Sequence, residues 1–83
     1  MPQTISETRN RWTLEAAKLL EGRKIVLVRY MTDEERDAQL WNSSSIVLQL
    51  DNGVAIWPSC DDEGNDAGAM FTTDDHLPTI PVI

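Results

Sequence analysis

The chain has 83 residues, 41% of them hydrophobic and 25% charged, with fourteen acidic against seven basic side chains and a formal net charge of -7. That composition excludes a fully disordered chain, and the length bounds it to one small domain, residues 1–83, with a thin core. The negative balance repels nucleic-acid phosphates and anionic lipid, which argues against direct DNA or RNA binding and against membrane-surface binding.

In chain order, Thr4-Ile5-Ser6-Glu7 has the spacing of a helix capping box, and a helix is predicted from about Ser6 to Glu21. Trp12, Ala16, Leu19 and Leu20 recur at helical spacing and form a narrow apolar stripe, suited to lying on a sheet. Gly22 stands where a left-handed helix-ending residue belongs, followed by Arg23-Lys24 against the negative helix end. Residues 25–31, Ile-Val-Leu-Val-Arg-Tyr-Met, read as a strand buried on much of both faces and therefore central. Thr32 with Glu35 forms a second capping box, starting a short helix over residues 33–40, and Asn42-Ser43-Ser44-Ser45 reads as a loop.

Residues 46–50 and 54–58 flank Asp51-Asn52-Gly53 and read as a β-hairpin. A two-residue Asn52-Gly53 turn would set Ile56 opposite Gln49. A three-residue loop with Gly53 in the left-handed conformation sets Leu50 against Val54 and Leu48 against Ile56. The second register gathers the branched aliphatics on one face, so it is the one expected; Val47 and Trp57 then share the opposite face. Residues 69–73 suit a short returning strand, and Leu77 to Ile83, with two prolines, an edge or an extended cover. The resulting fold expectation is α+β: a small antiparallel sheet of three to four strands with the N-terminal helix packed on it, or alternatively an SH3-like partial barrel.

Polar chemistry concentrates at residues 61–68. Asp61, Asp62, Glu63, Asn65 and Asp66 place five oxygen-bearing side chains within six residues, a ligand type that hard cations accept, but the spacing of a calcium-binding EF-hand is missing. A turn stitched by side-chain-to-backbone bonds explains the same residues. His76 after Asp74-Asp75 has no serine in a nucleophile context to activate. The lone Cys60 permits no internal disulfide and no thiolate zinc site. No catalytic residue, metal site or cofactor is therefore expected, and the chain is read as a non-enzyme. No signal peptide or membrane span is evident, which makes the cytoplasm the expected location. Of three tryptophans, Trp12 and Trp57 are expected in the core, whereas Trp41, beside a loop, is expected to be partly exposed.

Gly22, Ile25-Val26, the stretch from Glu34-Glu35 to Trp41, Leu48 to Gly53, Pro58-Ser59 and, above all, Asp61 to Phe71 resemble a group of small bacterial and phage proteins. Their shared mark is an acidic Glu-Gly-Asn turn after a hairpin. The resemblance covers roughly residues 20–72. It implies one compact domain, and the group carries no established function, so no site residue transfers.

The leading functional expectation is a non-catalytic protein-interaction module that self-associates, with Trp41, Trp57 and the loop residues Asp61, Asp62, Glu63, Asn65 and Asp66 as binding candidates. A second is an acidic inhibitor that mimics nucleic acid, through the runs Asp33-Glu34-Glu35, Asp61-Asp62-Glu63 and Asp74-Asp75. A third is small-ligand or cation binding at the 61–68 loop.

Overall fold

The computed structural model describes residues 4–83. Helix α1 (Ile5–Leu20) leads into strand β1 (Ile25–Tyr30), helix α2 (Asp33–Ala38), strands β2 (Ile46–Leu50) and β3 (Ala55–Ile56), and a second hairpin of β4 (Met70–Phe71) and β5 (Thr79–Ile80). The fold is small α+β: an antiparallel sheet in the order β1-β2-β3 beside a separate two-stranded sheet, β4-β5. The returning strand at residue 70 thus pairs with the proline-bearing tail.

The local signals act as their chemistry requires. The Thr4 hydroxyl accepts the Glu7 amide at 3.0 Å, satisfying one orphan donor of α1. At α2 both halves of the capping box form: Glu35 N–H to the Thr32 hydroxyl at 3.2 Å, and Thr32 N–H to the Glu35 carboxylate at 2.9 Å. The hairpin adopts the three-residue register. Leu50 N–H donates to the Val54 carbonyl, Leu48 pairs with Ile56, and Gly53 has φ +84°, which only glycine adopts without strain.

Two expectations fail. Strand β1 is an edge strand, because the hairpin partner β3 occupies the other side of β2 and leaves β2 in the centre. Ile25, Val26, Leu27 and Val28 are all exposed. Helix α1 buries none of its residues, and Trp12 is 60% exposed. Its far end is anchored by Asn52, whose amide donates to the Leu19 carbonyl at 3.3 Å, and by Gly22 at φ +77°. The Cα radius of gyration, 14.7 Å, exceeds the roughly 12 Å of a compact chain of this length, and the long extent of 43 Å agrees with a projecting helix.

The core lies elsewhere. Cross-strand partners share a face, so Arg29, Val47 and, along the ladder, Ala55 lie on one side of the sheet, and Val28, Tyr30, Ile46, Leu48 and Ile56 on the other. On the first side Met31, Trp41, Val47 and Ala67 form the buried cluster, with Ala55 packed against it. On the second side the tail lies over the Ile46 end. There the Tyr30 hydroxyl donates to the Pro81 carbonyl at 2.8 Å, and Ser44 and Ile83 exchange two backbone bonds. Among the described residues no helix is long and apolar enough to cross a membrane.

Candidate functional site

Three places in the fold qualify by chemistry or by exposure: the 61–68 loop, a groove beside α2, and the apolar surface of α1 and β1.

The loop is a hydrogen-bonded corner. Asp61 accepts the Glu63 and Asn65 amides at 3.0 and 3.2 Å and the Asn65 side-chain amide at 2.7 Å. Asp66 accepts from Ala67 at 2.8 Å, Asn42 at 3.1 Å and Ser43 at 3.3 Å, which ties the loop to the strand-β2 approach. These donors favour the ionised carboxylates and hold both below the usual carboxylate pKa range: the Asn65 side chain leads at Asp61, the Ala67 amide at Asp66. Asp62 and Glu63 are exposed. Among the described residues no three His, Cys, Asp or Glu side chains converge to hold a metal ion.

Trp41 belongs to the same corner. It is 5% exposed, and its indole N–H donates to the Gly64 carbonyl at 2.7 Å. The expected roles of the tryptophans are exchanged: Trp41 is core, whereas Trp57 is 41% exposed and Trp12 more so. An indole beside a loop finds a backbone acceptor there, and that bond lets it be buried. The sequence reading missed Ser45 as well. Its side chain is fully buried, its hydroxyl lies 2.7 Å from the Pro58 carbonyl, and it accepts the Gly68 amide at 3.1 Å. A serine in a run of three gives no sign of such a role. Gly68 fits the same junction by lacking a side chain: a Cβ there would stand 2.6 Å from the Ser59 carbonyl oxygen.

The groove, about 170 Å³, is lined by residues that include Arg29, Glu35, Val47, Ala55 and Trp57. Arg29 and Glu35 form a two-pronged ion pair at 2.7 and 3.0 Å. The Arg29 hydrogen bond, joined by the Thr32 amide, holds the Glu35 carboxyl down to about 2, and Glu35 in turn raises Arg29. Neither group is poised to exchange protons near neutrality. Asp74 is likewise committed, to the backbone amides of His76 and Leu77 at 2.7 and 3.2 Å rather than to the imidazole. Cys60 is an exposed thiol.

The apolar surface has the opposite character. Ile5, Trp12, Leu14 and Leu19 of α1 and Ile25 to Val28 of β1 are exposed. Met31 N–H bonds Ser45, so by the alternation of an antiparallel ladder the backbone groups of Val28 point away from β2, off the sheet edge. A bulge between Ile25 and Leu27 shortens the regular part of that edge. No sequence signal marked this surface, because an aliphatic run of this kind ordinarily means burial. The structure brings Trp41 together with Asp61, Asn65 and Asp66, and leaves Trp57 apart at the groove.

Compared with family models, curated proteins and solved structures, the chain matches none.

Proposed function

We propose that the chain is a non-catalytic protein-interaction module whose working surface is formed by α1 and the exposed edge strand β1. The observation that carries the reading is the exposure of four consecutive aliphatics, Ile25 to Val28, next to a helix that buries nothing. Apolar residues scattered singly over a surface need no explanation, but a run of this length beside an exposed tryptophan helix is characteristic of an interface. The carboxylates offer little competition as a site, since Asp61, Asp66, Asp74 and Glu35 are spent on backbone amides and on Arg29.

The test is recovery of the intact chain under native conditions, followed by mass measurement of the complex. Wild-type chain should be found in a complex of fixed stoichiometry, and a Trp12→Glu/Val28→Glu variant should not. Recovery of the wild type alone, with the α1 and β1 amides strongly protected from hydrogen exchange, would overturn the reading, since the surface would then be covered by its own chain.

A further inference from the structure

We infer that the occupant of this surface is a second copy of the chain, and that two copies exchange helices: α1 of each lies across the Val28 side of the other's sheet. The inference rests on the interaction-module reading and specifies its partner.

Each copy carries both halves of what is missing. Helix α1 has an apolar stripe suited to a sheet face and no sheet beneath it: Ile5, Trp12 and Leu19 recur at a spacing of seven residues, so they share one side of the helix, and all three are exposed. The sheet has an aliphatic side, on which Ile46 and Leu50 are buried, Leu48 and Ile56 are half-buried, and Val28, on the edge strand, is open. Val28 stays 56% exposed. The helix does not fold back on its own sheet, because Asn52 and Gly22 fix the direction in which it leaves the hairpin. A reciprocal exchange about a two-fold axis satisfies helix and sheet in both copies at once and leaves no open end for further growth.

The exposed area agrees in size. The chain exposes 6517 Å², against roughly 5,000 Å² for a compact monomer of 9.4 kDa. The excess of about 1,500 Å² per copy is nearly twice the roughly 800 Å² per partner of a standard interface, as expected of a dimer that completes its own core.

Charge selects the same arrangement. Helix α1 (Ile5–Leu20) carries three basic and two acidic side chains, whereas residues 32–83 carry one basic and eleven acidic. Two acidic bodies repel when set face to face. A helix of slight positive charge laid on the other copy's acidic body avoids that repulsion, and the exchange makes that contact twice.

Sedimentation of the full chain from low to high micromolar concentration tests the inference. The expected species has twice the chain mass. Trp12→Glu and Val28→Glu should each weaken it at least about 30-fold, as loss of a buried hot spot does. Both positions are more than half exposed in the single chain, so each variant should keep the wild-type circular dichroism. Mixing the two variants should recover dimer in part, because at one of the two contacts the intact helix of one then meets the intact sheet of the other. Three results overturn the inference: a monomer throughout, a dimer indifferent to Trp12→Glu, or no recovery on mixing. A monomer whose α1 amides still exchange freely would remove the second copy as partner and leave the interaction-module reading standing. A monomer with those amides protected would remove both.

Discussion

The corner at residues 41–68 and the α1–β1 arm at residues 4–28 invert the usual rule of burial. The corner is rich in Ser, Asn, Asp and Gly, yet it holds the most buried side chain of the described residues, Ser45, together with Trp41 and Ala67. The arm holds most of the branched aliphatics outside the hairpin and leaves them exposed. The difference teaches that polarity alone does not set depth. A polar residue is buried at little cost when each donor and acceptor is matched, and the corner matches them: among the described residues no buried side-chain nitrogen or oxygen lacks a partner. An apolar residue is buried only if something is there to cover it.

The largest effects are expected at the corner. Gly68→Ala forces a Cβ against the Ser59 backbone, with 2.6 Å to its oxygen and 2.7 Å to its carbon. Backbone cannot rotate aside as a side chain can, so the change should cost about 3 kcal/mol, the upper part of the range for overpacking, measured by urea denaturation. Ser45→Ala should cost about 2 kcal/mol in the same assay, since it removes the hydroxyl that bridges Pro58 and Gly68 and puts no new donor in its place. Equal stability of either variant with wild type would show that the corner is not what holds the chain together.

A smaller effect, of opposite sign, is expected at Leu40. Helix α2 ends with Trp41 N–H on the Arg36 carbonyl and Leu40 N–H on Asp37, a Schellman ending that places Leu40 at φ +62°. The side chain is 89% exposed and offsets none of the left-handed strain within the chain. Leu40→Gly should therefore stabilise by about 0.5–1 kcal/mol, the left-handed penalty less the added backbone entropy of glycine, read as a higher thermal midpoint.

The ion pair above the groove adds a pH signature. Glu35 has its folded pKa depressed to about 2 by Arg29 and Thr32, below the ordinary value of 4.5. A depressed carboxyl contributes stability that is fully present above the unfolded pKa and is lost as pH falls from about 4.5 through about 2. The stability of Glu35→Gln should therefore fall less steeply than that of wild type over that interval. Parallel acid profiles would contradict the assigned pair.

Much of the architecture was legible because it is written in local chemistry. Thr32 and Glu35 are three apart, Gly22 ends a helix, and only one hairpin register groups the aliphatics with Gly53 at positive φ. What stayed hidden depends on contacts distant in sequence. That β1 is an edge follows from which strand takes the far side of β2, and no residue of Ile25 to Tyr30 encodes it. That Trp41 is buried depends on the Gly64 carbonyl, twenty-three residues away. The acidic loop was read as either a cation site or a stitched turn, and the bonds that stitch it come from the amides of Asn42, Ser43 and Asn65, whose directions composition does not reveal. The surface of α1 and β1 was the least legible, since a chain that completes its core with a second copy is written with the same residues as one that completes it alone.

Amide hydrogen exchange, measured on one sample at high concentration and again after strong dilution, tests most directly the claim that the arm is covered from outside and the corner from within. Amides of α1 should lose protection on dilution, while those of residues 41–68 keep theirs at both concentrations. Protection of α1 that does not change with concentration would contradict that claim.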